Sequence, residues 1–316
     1  MVCFIVPCYN EQDNVIAFYD AFVEAFDAAA VDWRLVMVDD GSSDLTFERL
    51  SSLAEGDHRV TVLSFSRNFG KEAAIYAGLT EASDADYVGI IDADLQQPPA
   101  TALEMLRILM ADEDCDCVAA YQENRREGAF LSFAKRSFYK IFARASRSQT
   151  VLENASDFRV FRSCVAKAIL SMPEYHRFSK GIFSWVGFNT IAHPYTPDER
   201  NAGSTKWNFA SLMAYAIEGI LSFSTRPLHL VTGLGLTVSF LALVYAVVLI
   251  LKTLIVGVDV PGYASSVALI LLLGGAQLLA IGIIGEYLSR LYEQEKRRPV
   301  YIIRRGINRL EDDERD

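Results

Sequence analysis

Residues 230–251 carry no charged side chain, and neither do residues 263–285. Each run is close to the ~20 residues that a helix needs to cross a bilayer. Neither has the polar face that a surface helix of a soluble protein shows. The loop between them is short and holds Pro261-Gly262, so the pair reads as a transmembrane hairpin. This divides the chain into a soluble domain over 1–206, an interfacial amphipathic region over 207–228, two spans within 229–289, and a basic juxtamembrane segment with an acidic tail over 290–316. Arg226 precedes the first run, while Arg290, Lys296, Arg297, Arg298, Arg304 and Arg305 follow the second; only Lys252 lies between. The excess of positive charge outside the loop places the large domain and both termini in the cytoplasm of a multi-pass protein of the cell membrane. The amino terminus opens on a strand pattern rather than on a basic and then apolar leader, so no signal peptide is expected.

A net charge of −10 argues against nucleic acid as a partner. The basic stretch 296–309 follows a span, which suits contact with anionic lipid head groups or simple fixing of orientation. Residues 311–316 read as a solvated acidic tail. Five cysteines without a Cys-x-x-Cys pair suggest reduced thiols and no zinc site.

Along the first part of the chain, strand and helix patterns alternate. Strands are expected at 2–7, 34–38, 60–64, 87–91 and 117–120, and helices at 14–29, 45–53, 71–80 and 100–110. Such alternation predicts an α/β domain with a mostly parallel sheet covered on both faces. Gly41 and Gly70 fall in strand-to-helix turns, but no Gly-x-Gly-x-x-Gly occurs, against an ordinary dinucleotide site. The apolar run 87–91 stops abruptly at Asp92-Ala93-Asp94-Leu95-Gln96 and Pro98-Pro99. Alternation sets Asp92 and Asp94 on one side of the strand's carboxyl end, where open α/β sheets bind ligands. With the Gln96 amide oxygen they form a hard-oxygen set suited to Mg²⁺ or Mn²⁺ bridging to a substrate diphosphate. Further on, Arg125, Arg126, Lys135, Arg136 and Lys140 are interleaved with aromatic residues over 123–140, and 157–161 reads as another strand.

Ordered blocks then carry a resemblance. Val6-Pro7-Cys8-Tyr9-Asn10-Glu11, Val38-Asp39-Asp40-Gly41-Ser42-Ser43-Asp44, Asn68-Phe69-Gly70-Lys71-Glu72-Ala73-Ala74 and the Asp92 block together resemble family 2 glycosyltransferases of the GT-A fold. Ser156-Asp157-Phe158-Arg159, Arg177-Phe178-Ser179-Lys180-Gly181, Trp185-Val186-Gly187-Phe188 and Arg200-Asn201-Ala202-Gly203-Ser204-Thr205-Lys206-Trp207 resemble the polyprenyl-phosphate branch. That branch includes bactoprenol glucosyltransferases and dolichol-phosphate mannosyltransferases. The two spans with a basic segment after them resemble the bactoprenol type. A Gln-x-x-Arg-Trp block is absent, unlike processive synthases, and Gln122 stands where many members have Arg.

The resemblance implies a metal-dependent inverting transferase that moves a sugar, with glucose from UDP-glucose foremost, to an undecaprenyl-type phosphate. It implies that Asp92, Asp94 and Gln96 surround the metal. Pro7, Tyr9, Glu11 and Asp40 would line the base and ribose, and Lys71, Asp92, Arg200 and Lys206 would face sugar or phosphates. Asp157 would be a catalytic carboxylate beside Asp94. Arg125, Arg126, Lys135 and Arg136 would cradle the lipid phosphate. Gly274-Gly275-Ala276 offers close packing of spans, and relatives of this type form homo-oligomers. Two rivals remain at this stage: an enzyme resembling dolichol-phosphate mannosyltransferase that uses GDP-mannose, and a non-catalytic membrane scaffold.

Overall fold

The computed structural model describes residues 1–122, 155–172, 174–197, 226–256 and 262–309. These fall into two compact units, one drawn from 1–219 and 298–316 and the other from 220–297.

The first unit is built on a sheet whose inner strands are continuous apolar runs, as burial on both faces requires. β1 (Val2–Cys8) pairs in parallel with β2 (Trp33–Asp39) and with β4 (Tyr87–Ile90), and β2 pairs in parallel with β3 (Val60–Phe65). β5 (Cys117–Gln122) and β6 (Ala155–Arg162) run antiparallel to each other, and β6 runs antiparallel to β4. β7 (Thr190–Tyr195) lies parallel to β5, and β8 (Ile303–Ile307) is antiparallel to β3. The described order is β7-β5-β6-β4-β1-β2-β3-β8.

The helices interleave as the sequence pattern requires. α1 (Val15–Ala28) repeats phenylalanine at every fourth position, so Phe18, Phe22 and Phe26 share one face and are fully buried. Phe22 stacks on Phe26 at 4.2 Å, and Phe4 of β1 meets both rings edge-on. Each such ring contributes about 1.5–3 kcal/mol of burial. α2 (Thr46–Gly56), α3 (Lys71–Glu81) and α4 (Pro99–Ala111) follow β2, β3 and β4. α3 approaches β1 closely because Gly78 has no side chain; a Cβ there would stand 2.2 Å from Ile5. That close approach fixes where the first residue of α3, Lys71, projects. After β6 come α5 (Ser163–Leu170) and α6 (Ser179–Val186).

One element was not expected. The basic stretch 296–309 reads from sequence as head-group contact or simple fixing of orientation, yet residues 303–307 form the edge strand β8. Around it, Tyr301 stacks on Phe65 at 5.2 Å, and Ser66 N donates to Ile302 O. Asn308 Nδ2 donates to Ala54 O and Val60 O, while Thr61 Oγ1 donates to Asn308 O. Arg305 lies over the Phe47 ring. The segment was missed because Arg304-Arg305-Gly306 looks solvated, and nothing local announces a partner strand so distant in the chain.

The second unit holds α7 (Arg226–Val256, 31 residues) and α8 (Tyr263–Glu295, 33 residues). Both uncharged runs are therefore helical. Among the described residues, Leu272–Glu295 is long and apolar enough to cross a membrane, and α7 carries a shorter apolar stretch, Val231–Tyr245. Large apolar side chains such as Phe240, Leu254, Ile270 and Leu278 are more than half exposed.

Candidate active site at the carboxyl ends of the parallel strands

The site forms where β1, β2 and β4 end and β6 begins. The loop after β1 is zipped to the loop after β2. Asn10 N donates to Ser42 Oγ, Asn10 Oδ1 accepts from Ser43 N, and Glu11 N donates to Thr46 Oγ1. Glu11 also accepts from Asn14 Nδ2 at 2.7 Å. This bracing leaves Tyr9 at the surface, 40% exposed, and Pro7 half-buried at the end of β1.

Asp39 and Asp40 are both buried, and each has an internal task. Asp39 accepts from Ser42 N and Ser64 Oγ. Asp40 gives one oxygen to Phe69 N at 2.6 Å and the other to Gly70 N at 2.9 Å. Burial raises the Asp40 pKa against those two donors. Asp40, assigned by resemblance to the nucleotide base, is thus first of all the clamp that holds the turn into α3. Gly41 completes the turn at φ +67, where a Cβ would lie 2.4 Å from the Arg67 backbone.

β4 ends at the two carboxylates. Asp94 Oδ1 accepts from Gln96 N, and Leu95 takes the left-handed conformation at φ +60 that turns the chain there. Asp92 is gripped by a residue absent from the sequence reading. Gln97, 6% exposed, accepts from Asp92 N at 2.9 Å and donates to Asp92 Oδ2 at 3.0 Å. The other oxygen, Oδ1, lies 2.5 Å from Lys71 Nζ.

β6 brings in the third acid. Ile90 pairs with Arg159, and continuing that antiparallel register by two residues sets Asp157 across from Asp92. Asp157 Oδ2 is 3.7 Å from Lys71 Nζ, while Oδ1 is buried with no hydrogen-bond partner among the described residues. Burial pushes the Asp157 pKa up, but Lys71, Lys180 and Arg159 outweigh it and the net shift is downward. Desolvation disfavours the Lys71 cation; Asp92 and Asp157 reverse this and raise its pKa. Lys71 and Asp157 therefore stay charged at neutral pH.

Beside them, Glu72 ties α3 to α6 by accepting from Ser179 N and Ser179 Oγ. Its pKa is raised by burial and by Asp157, against the Ser179 donors. Arg177 caps the far side. Its guanidinium donates to Met172 O and stacks over Tyr76. Glu72, Lys180 and Arg159 are contributors to this electrostatic cluster that only their sequence blocks hinted at. Arg125, Arg126, Lys135, Arg136, Arg200 and Lys206 lie outside the described residues. Gln122, at the position often held by Arg, donates from Nε2 to Tyr195 OH.

The sequence matches the glycosyl transferase family 2 profile over residues 3–170. The chain belongs to that family. It is 40% identical to an uncharacterized glycosyltransferase of Synechocystis sp., across 95% of this chain and 93% of that one. It is 39% identical to the bactoprenol glucosyl transferase of Shigella phage SfV, across 96% and 98%. Among solved structures, a mycobacterial protein superposes with a TM-score of 0.50 at 18% identity, covering 71% of this chain and 74% of that one, a likeness of fold alone. The α/β domain of this glycosyltransferase is thus GT-A-like, and the carboxylate cluster lies at the sheet end where such folds bind ligands.

Whether a divalent ion fits can be judged from the donors. They are all oxygen, and the Asp92 Oδ1 position already attracts a cation, the Lys71 ammonium. Among the described residues, no three His, Cys, Asp or Glu side chains converge. An ion here would take Asp92, Asp94 and the Gln96 amide, leaving positions for water and phosphate oxygens, as Mg²⁺ prefers. The residues fit.

Proposed function

We propose that this glycosyltransferase moves glucose from UDP-glucose to a polyprenyl phosphate of the undecaprenyl type, with inversion at the sugar carbon. The observation that carries the reading is the charged cluster Asp92–Lys71–Asp157 at the end of β4, in a chain alignable over almost its full length with a bactoprenol glucosyl transferase.

The acceptor phosphate has a second pKa of about 6, so it is largely dianionic at neutral pH and needs positioning more than deprotonation. Asp157, held anionic by its cations, suits that division of labour: it orients Lys71 rather than taking a proton. A phosphate oxygen attacks the sugar carbon from the side opposite the leaving diphosphate, and the bond to that diphosphate breaks. A divalent ion on Asp92, Asp94 and Gln96 would supply neutralisation of the charge that develops on the leaving group. Tyr9, exposed beside the braced loops, is assigned to pack along the base, and Pro7, Glu11 and Asp40 to line the base and ribose. Arg200 and Lys206 are assigned to the donor phosphates, and Arg125, Arg126, Lys135 and Arg136 to the lipid phosphate.

The acceptor's chemistry calls for a bilayer. Among the described residues one stretch, Leu272–Glu295 of α8, is long and apolar enough to cross it, and α7 carries the shorter apolar stretch Val231–Tyr245. The reading takes both as spans, with the catalytic domain and both termini on the cytoplasmic side by the charge that flanks the two uncharged runs. Association of copies through Gly274-Gly275-Ala276 belongs to the same reading.

The experiment is transfer of label from UDP-glucose to undecaprenyl phosphate in membranes containing the full chain, beside GDP-mannose and other donors, with and without a chelator. A lipid-soluble product from UDP-glucose that disappears on chelation is expected. Preference for GDP-mannose would move the enzyme to the mannosyltransferase type. No lipid-soluble product from any donor would overturn the reading.

A further inference from the structure

A lysine is a poor choice for the first residue of a helix, because the helix dipole places partial positive charge there. Lys71 nevertheless opens α3, at a position set by the Gly78–Ile5 approach. Its ammonium is held by Asp92 Oδ1 at 2.5 Å and Asp157 Oδ2 at 3.7 Å. The remaining Asp92 oxygen is taken by Gln97. A cation arriving at Oδ1 therefore meets one already in place, and two like charges on one oxygen exclude each other.

We propose that Lys71 is an internal stand-in for the divalent ion. It occupies the cation position on Asp92 in the donor-free enzyme and keeps divalent binding weak until a nucleoside diphosphate brings its own negative charge. The ion then takes Asp92, and Lys71 is left to Asp157, whose buried Oδ1 has no other partner among the described residues. The enzyme would thus load ion and donor together rather than ion first. This rests on the metal reading above.

The test is Mn²⁺ titration of the full-length protein followed by electron paramagnetic resonance, first without nucleotide and then with UDP. Wild type without UDP should bind Mn²⁺ weakly. Lys71→Met, and Lys71→Gln as a second neutral variant, should bind it at least about tenfold more tightly. Lys71→Arg, which keeps the charge, should behave as wild type. Adding UDP should tighten Mn²⁺ binding in wild type and narrow the difference. If the neutral variants match wild type without UDP, while all bind Mn²⁺ with UDP, the stand-in role is wrong and the metal site stands. If no protein binds Mn²⁺ even with UDP, the metal site itself is wrong and the stand-in falls with it. Lys71 is 42% exposed and outside the core, so the neutral variants should fold; their thermal midpoints check this.

Discussion

Asp92 and Asp157 share one counter-ion, the Lys71 ammonium, although they come from different strands and are far apart in sequence. β4 ends at the first, β6 begins near the second, and their antiparallel register sets them face to face. Asp94 stands one alternation further along, where its Oδ1 accepts from the Gln96 backbone N–H. The two members of the Asp-x-Asp pair can each be removed alone.

Asp94→Asn should lower transfer by about 10²-fold or more, by weakening stabilisation of the leaving diphosphate, while leaving the thermal midpoint near wild type. Full activity in the label-transfer assay would remove Asp94 from the ion site.

Gln97→Ala should cost about 1–3 kcal/mol of stability, because the Asp92 amide and one carboxylate oxygen lose a buried partner. It should also raise the Mn²⁺ concentration needed for half-maximal transfer by freeing the Asp92 rotamer. Gln97→Glu restores the acceptor for Asp92 N but sets a second negative charge against Oδ2, so it should not rescue the Mn²⁺ requirement. Denaturant melts and Mn²⁺ titrations of activity separate the two effects.

Asp157→Asn should show a pH signature. The Asp157 pKa is lowered in the folded protein, so its charge contributes stability above the ordinary carboxylate range and that contribution is lost as pH falls through the folded value. Wild type should therefore exceed Asp157→Asn in thermal midpoint at neutral pH, with the gap narrowing toward acid. Glu72 titrates in the opposite sense: its pKa is raised, so protonation on acidification relieves a buried charge. Comparing Asp157→Asn with Glu72→Gln in one pH series distinguishes the residues, and a gap for Asp157→Asn that stays constant into acid would exclude the assigned role.

Asn308→Ala should destabilise the catalytic unit by about 1–2 kcal/mol through loss of the bonds to Ala54 O and Val60 O. Faster amide exchange at β3 than at β1 in the variant, measured by hydrogen exchange, would show β8 loosening from the sheet edge. A segment that merely touched lipid would give no such change.

Much of this architecture could be read without coordinates. The apolar runs at β1, β2, β3 and β4 are strands within a residue or two of their expected ends, since a strand buried on both faces has little choice of composition. The helix expected at 14–29 is α1, within a residue of each end. The Asp-x-Asp pair at the end of β4 was legible from alternation and from its sequence block. Gln97 was not, because a glutamine after a carboxylate motif has no local signature of burial. β8 was not either, because its arginines look solvated and its partner, β3, lies at the other end of the chain.

Composition and order along the chain carried the secondary structure: the two uncharged runs are helices, and the alternating strand and helix patterns build a covered sheet. Which side chains meet was decided only by packing. A short-range pattern specifies which face a residue takes, but the distance between Lys71, Asp92 and Asp157 depends on how closely α3 settles on β1 and on the register of β6 against β4. Those are long-range quantities, set by where Gly78 admits Ile5 and by which residue of β6 lies beside Ile90.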